Sequence, residues 1–178
     1  MRKLKTTELN RLSVGEFKSS PKLPVIIVLD NIRSQNNVGS IFRTADAFRC
    51  EAIYLCGITA IPPHREIQKS ALGATESVMW KYFRTTSEAM DELQKTKYPV
   101  YAVEQTDNSI SLISFSFPED KKLALIFGNE VSGIDDRLLS MVDGCIEIPQ
   151  FGTKHSLNIS VAAGIVLWDI FQKTGIFF

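Results

Sequence analysis

Three clusters of polar residues and glycines carry the side chains of this sequence that are best suited to chemistry. Each cluster follows an apolar segment, and together they hold an arginine, a glutamate, and several amides, hydroxyls and glycines. Glycines let the backbone approach a ligand closely, while polar groups fix its orientation. The pattern therefore predicts a site for a polar small molecule. The clusters are Asn37-Val38-Gly39 with Arg43, Phe127-Gly128-Asn129-Glu130 with Gly133, and Ile148-Pro149 with Ser156-Leu157-Asn158.

The first cluster lies at the start of a helix predicted from about Val38 to Phe48. At about 100° per residue, Arg43 falls roughly opposite the apolar stripe of this helix. Ser40 and Ala47 flank Arg43, so another molecule has room to reach its guanidinium. An ordinary surface arginine would have the same spacing, and both interpretations stay open here. The stripe consists of Val38, Ile41, Phe42, Ala45 and Phe48.

The second cluster follows an apolar strand predicted for Leu123 to Phe127. Gly128 and Gly133 bracket its polar residues, Asn129 and Glu130. The two glycines allow a tight turn and a close backbone approach to a ligand, although a turn alone would also explain them. A carboxylate after such a strand lies at the edge where open parallel sheets bind ligands.

The third cluster joins a short strand, Ile146 to Ile148, to the last helix. Ser156 stands where the N-cap of that helix belongs, which puts Ser156 and Asn158 in its first turn. From Ile159 to Phe171 nearly every helical face is apolar. We therefore expect this helix to pack on its own sheet and also on a second copy of the chain. A strand, turn and helix without any ligand would look much the same.

The elements that position these clusters alternate between strand and helix from Val25 onward. This alternation predicts an α/β fold, with a mostly parallel sheet flanked by helices on both faces and right-handed crossovers. Aromatic residues in the third strand are expected in the core rather than stacked on bases, namely Trp80, Tyr82 and Phe83. The predicted strands are Val25–Leu29, Ala52–Cys56, Val78–Phe83, Val100–Val103, Leu123–Phe127 and Ile146–Ile148. Further helices are predicted at Glu66–Leu72, from an N-cap at Thr86 or Ser87 to about Lys95, and from about Asp135.

Length, charge and cysteine content narrow the class of protein. A chain of 178 residues suits one domain, residues 23–178, preceded by a basic arm, residues 1–22, that either is solvated or contacts phosphate. With 20 basic and 20 acidic residues the formal charge is zero, which argues against wholesale electrostatic binding of nucleic acid but allows a local patch. Three cysteines without Cys-x-x-Cys spacing indicate reduced thiols, a cytoplasmic location and no metal site. No apolar run is long enough for a membrane helix.

Common nucleotide-binding and hydrolase motifs are missing. The loop after the first strand has Gly39 alone in place of Gly-x-Gly-x-x-Gly, and the sequence contains neither a P-loop nor a Gly-x-Ser-x-Gly elbow. An unrelated nucleotide-binding α/β enzyme remains an alternative at this point.

Taken in order, the three clusters resemble the signature motifs of the SpoU/TrmH family of SPOUT RNA methyltransferases. The resemblance covers about residues 25 to 171. It implies an α/β domain with a C-terminal trefoil knot, a homodimer, and S-adenosylmethionine (AdoMet) as cofactor, with S-adenosylhomocysteine (AdoHcy) as product. The implied reaction is methylation of a ribose 2′-hydroxyl in tRNA or rRNA. The alternative is a catalytically silent RNA-binding module that kept the fold.

Carried over residue by residue, the resemblance assigns a role to each cluster. The first gives Asn37 and Arg43 as a catalytic pair, in which Arg43 orients the ribose hydroxyl and stabilises its developing negative charge. The second gives Glu130 as a site carboxylate; Ser156 and Asn158 of the third complete the catalytic set. The cofactor pocket is expected to be lined by Phe127, Gly128, Asn129, Gly133, Ile148, Pro149, Ser156, Leu157 and Asn158.

Overall fold

A computed structural model describes residues 1–118 and 122–176, and the strands of this part of the chain form one sheet of seven. Its order is β3-β2-β1-β6-β4-β7-β5, and every pairing is parallel. The predicted parallel α/β fold is therefore confirmed, while residues 119–121 and 177–178 of the predicted domain lie outside the described residues. The strands are β1 (Leu23–Asp30), β2 (Cys50–Cys56), β3 (Met79–Phe83), β4 (Val100–Val103), β5 (Ile110–Ser111), β6 (Leu123–Phe127) and β7 (Gly144–Glu147).

Helices cover both faces of the sheet. Strand β1 sends Ile27 and Leu29 into one core and Ile26 and Val28 into the other, which explains its unbroken apolar run. Helices α1 to α4 and α7 contribute to the first core, and α5 and α6 to the second. The helices are α1 (Val14–Ser19), α2 (Gln35–Ala47), α3 (Arg65–Ala71), α4 (Ala74–Ser77), α5 (Thr86–Lys95), α6 (Asp136–Leu139) and α7 (Ile159–Thr174), with a 3-10 turn at Thr6–Glu8.

Helix α2 begins at Gln35 rather than at Val38, because Ser34 is its N-cap and accepts a hydrogen bond from the Asn37 N–H at 3.3 Å. The earlier start moves Asn37 from the predicted loop into the first turn. The predicted apolar stripe is confirmed: Phe48 is half-buried and its other members are buried. Gly39 packs against α3 so closely that a Cβ there would lie 2.1 Å from Ser70 Oγ.

The predicted cap of the last helix is wrong. Helix α7 begins at Ile159, and its N-cap is Asn158, whose Oδ1 accepts a hydrogen bond from the Ser160 N–H at 2.9 Å. Ser156 is exposed in the preceding loop. Both residue types cap helices well, and Asn158 wins because it stands directly before the buried Ile159, where the apolar face begins.

The predicted cap of α5 is also wrong. Thr85 caps this helix, with its Oγ1 accepting a hydrogen bond from the Glu88 N–H at 3.3 Å. Thr86 is buried instead, and its hydroxyl donates to Asp30.

The prediction that the aromatic residues of β3 lie in the core holds only in part. Tyr82 is 46% exposed, whereas Trp80 and Phe83 are half-buried. The reason is that β3 is an edge strand, paired with β2 alone. A strand-like pattern does not distinguish an edge from a centre.

Candidate active site

A cavity of about 690 Å³ opens at the carboxyl ends of β4, β6 and β7. These three strands are neighbours in the sheet, in the order β6-β4-β7. The loops that leave them form the walls: residues 104–105 after β4, 128–134 after β6, and 148, 150 and 155–158 after β7. A cavity of this size and position is typical of ligand sites in open parallel sheets.

Most of the predicted site residues line this cavity. Pro149, Asn37 and Arg43 are not among its lining residues. Asn37 nevertheless forms hydrogen bonds with two residues that are, whereas Arg43 forms no hydrogen bond or ion pair with any described residue. The predicted residues in the wall are Phe127, Gly128, Asn129, Glu130, Gly133, Ile148, Ser156, Leu157 and Asn158.

The turn after β6 is closed by Asn129 and Gly133, which exchange backbone hydrogen bonds of 3.2 and 2.9 Å. The Asn129 side chain accepts from the N–H groups of Val131 and Ser132 and donates to the Asn31 carbonyl at 2.7 Å. Gly133 has φ +67°, a conformation that favours glycine. Asn129 therefore shapes the turn with its side chain already engaged, and the backbone faces the cavity.

Glu130 binds the start of α2. Its carboxylate accepts hydrogen bonds from the backbone N–H groups of Arg33 (3.0 Å) and Ser34 (3.1 Å) and from Asn37 Nδ2 (3.1 Å). Burial by itself would raise the pKa of Glu130, but these hydrogen bonds, together with one from its own backbone, outweigh it and lower the pKa. The carboxylate thus stays ionised and joins the second cluster to the first.

Asn37 extends this contact to the third cluster. Its Oδ1 accepts a hydrogen bond from Asn158 Nδ2 at 3.2 Å, while its own Nδ2 donates to Glu130. A continuous chain of hydrogen bonds, Asn158 to Asn37 to Glu130, therefore connects residues from all three clusters. Since Asn158 also caps α7, these hydrogen bonds fix the starts of α2 and α7 relative to one another.

Arg43 does not take part in these hydrogen bonds between the clusters. It is exposed on the outer face of α2, and within the part of the chain that the structure describes its guanidinium makes no hydrogen bond or ion pair. The predicted position opposite the apolar stripe is confirmed. The cavity of a single chain is thus built without Arg43.

The cavity wall carries acidic groups and no lysine or arginine among the residues that the structure describes. A cationic ligand is therefore favoured electrostatically, and a polyphosphate nucleotide would meet like charge. This observation disfavours the alternative of an unrelated ATP- or NAD-binding enzyme. The acidic residues of the wall are Glu104, Glu130, Asp136 and Glu147.

Several wall residues were not predicted from the sequence, and Glu104 and Gln105 are two of them. Gln105 Nε2 donates to the His155 carbonyl oxygen at 2.9 Å, the one hydrogen bond that residues 150–157 make to the described chain. A usable signal was their position directly after a predicted strand, Val100–Val103, because the carboxyl ends of parallel strands share one edge. They were passed over because no glycine stands beside them.

Within residues 1–118 and 122–176, no group of three or more His, Cys, Asp or Glu side chains is arranged to hold a metal ion. In the same ranges, no helix combines the length and the apolar character needed to cross a membrane.

Known proteins resemble this chain over most of its length. Mouse tRNA (guanosine(18)-2′-O)-methyltransferase TARBP1 is 34% identical over 148 residues, which are 82% of this chain and 9% of that protein. A putative TrmH family tRNA/rRNA methyltransferase of Staphylococcus haemolyticus is 28% identical over 88% of this chain and 61% of its own length. The chain thus spans less than two thirds of either relative.

Solved structures agree in fold. The crystal structure of an AdoMet-bound rRNA methyltransferase from Sinorhizobium meliloti superposes with a TM-score of 0.77, at 27% identity, over 85% of this chain and 57% of that one. Residues 24–168 match the SpoU rRNA Methylase family, and this range includes all three clusters and the cavity between them. The chain belongs to the SpoU rRNA methylase family.

Proposed function

We propose that the protein is an AdoMet-dependent methyltransferase that acts on a ribose 2′-hydroxyl of tRNA or rRNA. The observation that carries this proposal is the match of residues 24–168 to the SpoU family, because the matched range builds the cavity. The names of the relatives support the substrate class: one is a tRNA 2′-O-methyltransferase and another an rRNA methyltransferase.

The residues of the cavity fit AdoMet. A wall with four carboxylates and no lysine or arginine among its described residues suits a ligand with a positively charged sulfur. Gly128 packs so tightly on Gly133 and Ile134 that a Cβ would lie 2.6 Å from the Gly133 carbonyl carbon, so this wall of the cavity is a compact turn that only glycine allows. When bound, AdoMet would supply a methyl group on a sulfonium, whose leaving group is a neutral thioether.

The chain's own contribution is mainly positioning. Methyl transfer to a hydroxyl needs that oxygen in line with the methyl group, and orientation of this kind can contribute roughly 7–11 kcal/mol. Arg43 would donate hydrogen bonds to the ribose oxygen and stabilise its negative charge, because a guanidinium stays protonated in proteins. The hydroxyl proton would pass to a phosphate of the RNA, while the sulfur would leave as the neutral thioether. Asn37, Asn158 and Ser156 would hold the ribose in register, with Glu130 fixing Asn37.

We infer that the active form is a homodimer. Helix α7 leaves Val161, Ile165 and Trp168 exposed by 50%, 39% and 52%, a row of apolar side chains that a second copy would cover. A second copy would also supply an Arg43 to a cavity that lacks one in the single chain. Trp168→Glu is then expected to give monomers by light scattering, whereas an unchanged dimer would refute this interface.

Three finer features belong to the same proposal. A C-terminal trefoil knot is supported by the strand order, in which β7 lies between β4 and the earlier β5, and by the similarity in fold. Residues 1–22 would contact RNA phosphates through their basic side chains, with α1 held on the core by the buried Phe17, and residues 23–178 would form the catalytic domain. The location would be cytoplasmic, consistent with three free cysteines.

The proposal is tested with AdoMet that carries a labelled methyl group. Incubation with bulk tRNA and rRNA, followed by digestion to nucleosides, is expected to give 2′-O-methylated products. Arg43→Ala is expected to abolish them while AdoMet binding by calorimetry survives. Arg84→Ala is the matched control, since Arg84 is also exposed but precedes α5, on the opposite face of the sheet.

Two outcomes would refute this function. AdoMet binding without any methylated RNA, under conditions in which a known family enzyme is active, would favour the silent RNA-binding module. Label recovered on a base would refute the ribose as acceptor. Equal loss of product in Arg43→Ala and Arg84→Ala would remove Arg43 from the catalytic set.

A further inference from the structure

Glu104 occupies a central place in the cavity wall. It follows directly after β4, the middle strand of the three whose ends form the cavity. Its backbone N–H is tied to the Ile146 carbonyl of β7 at 3.1 Å. Glu104 is thus the first residue beyond β4, and its backbone is held by the neighbouring strand, which fixes the position of its side chain in the wall.

The Glu104 carboxylate is oriented but not saturated. Oε2 accepts a hydrogen bond from the Ile134 N–H at 3.3 Å, and Oε1 from the Gln105 N–H at 3.0 Å. Each carboxylate oxygen has a second acceptor site. No lysine or arginine of the described chain forms an ion pair with it. One free acceptor site therefore remains on each of two adjacent oxygens.

Gly133 makes room for this carboxylate. A Cβ at Gly133 would lie 2.6 Å from Glu104 Oε2, so a side chain at this position would push the carboxylate out of its present place. The turn after β6 and the carboxylate after β4 are thus fitted to one another, and both face the cavity.

We propose that Glu104 binds the ribose of the cofactor, accepting hydrogen bonds from its 2′- and 3′-hydroxyls. This inference rests on the proposed function, because it assumes that the cavity takes an adenosine-containing cofactor. Two adjacent acceptor oxygens match the two adjacent hydroxyls of a ribose, and carboxylates near the ends of parallel strands bind ribose hydroxyls in other α/β nucleotide sites. Hydrogen bonds to a charged acceptor are also stronger than neutral ones.

The test pairs a change in the protein with a change in the ligand. Binding of AdoHcy and of S-(2′-deoxyadenosyl)-homocysteine is measured by calorimetry for the wild type and for Glu104→Gln. AdoHcy is chosen because its sulfur is uncharged and it is not turned over. Glu104→Gln keeps an oxygen for the Ile134 N–H, so the turn is expected to stay folded, as checked by its melting temperature.

The wild type is expected to bind AdoHcy about tenfold more tightly than the deoxy compound. Glu104→Gln is expected to bind AdoHcy about tenfold more weakly than the wild type and to discriminate between the two ligands by less than about twofold. Glu147→Gln is the matched control, because it removes the same charge from the same wall and is expected to keep the tenfold discrimination.

If Glu104→Gln still bound AdoHcy about tenfold more tightly than the deoxy compound, the inference would be overturned and the proposed function would stay intact. The inference would also be overturned if Glu104→Gln kept the discrimination between AdoHcy and the deoxy compound but lost much more affinity for AdoMet than for AdoHcy. The Glu104 carboxylate would then bind the charged sulfur rather than the ribose. A wild type that binds neither AdoMet nor AdoHcy would refute the proposed function itself.

Discussion

The contact of Glu130 with the start of α2 gives the sharpest prediction about stability. In the wild type, the Glu130 carboxylate accepts hydrogen bonds from the N–H groups of Arg33, Ser34 and Asn37. Glu130→Gln keeps one acceptor oxygen but replaces the other with an NH₂ group, which cannot accept from these donors. It also removes a negative charge from a helix N-terminus, which contributes about 0.3–1 kcal/mol. Removing a hydrogen bond to a charged group costs about 1.5–3 kcal/mol when buried. Since Glu130 is exposed, solvent screening keeps the effect at the low end.

The expected loss in free energy of unfolding is therefore about 1–2 kcal/mol at pH 7. For a chain of 178 residues, each kcal/mol shifts the melting temperature by about 2–4 °C, so a decrease of about 2–8 °C is expected. Urea denaturation and thermal melting measure both quantities. Asp136→Asn is the control, because Asp136 lines the same cavity but makes no side-chain hydrogen bond to α2.

The effect of Glu130→Gln is also expected to depend on pH. The pKa of Glu130 is lower in the folded chain than its ordinary value, so its contribution is complete above the unfolded pKa of roughly 4.3. It is lost as the pH falls through the folded pKa. The difference between wild type and variant should thus be constant from pH 6 to 8 and shrink below about pH 4. Equal stability at pH 7, or a difference that persists unchanged at low pH, would refute this role.

Three more predictions concern packing, the cavity loop and the thiols. Gly39→Ala should lower the free energy of unfolding by about 1–3 kcal/mol, because its Cβ would meet Ser70 Oγ and the Ile67 carbonyl. The control Gly152→Ala should change the free energy of unfolding little, because the space around Gly152 is open, and equal melting temperatures of the two variants would contradict this prediction. Gln105→Leu removes the hydrogen bond to the His155 carbonyl and should make residues 150–157 more mobile. Faster proteolysis in this loop and weaker AdoMet binding are expected at an unchanged melting temperature, and unchanged cleavage would show that this hydrogen bond does not hold the loop. Burial raises the pKa of the Cys50 and Cys56 thiols to about 12. A thiol reagent should therefore label these two in the native protein far more slowly than the half-buried Cys145, and fast labelling of all three would show that the core opens.

Much of the fold could be predicted because its signals are local. The apolar run of β1 is buried on both faces of the sheet, and the stripe of α2 is buried as its spacing indicated. Burial patterns of this kind depend only on the alternation of side chains along a strand or a helix. The predictions failed where neighbours in space decide. Tyr82 is exposed because no strand follows β3 at the sheet edge, and Asn158 rather than Ser156 caps α7.

The sequence by itself determined which residues stand at the ends of buried strands and carry polar groups next to glycines. Only the tertiary structure decided which of these ends meet. Glu130 bonds Asn37 across 93 residues, and Asn158 bonds Asn37 across 121, because parallel crossovers bring distant loops to one edge. The same folding placed Glu104 in the cavity and left Arg43 outside it. Strand order is set by long-range packing, which no local pattern of residues encodes.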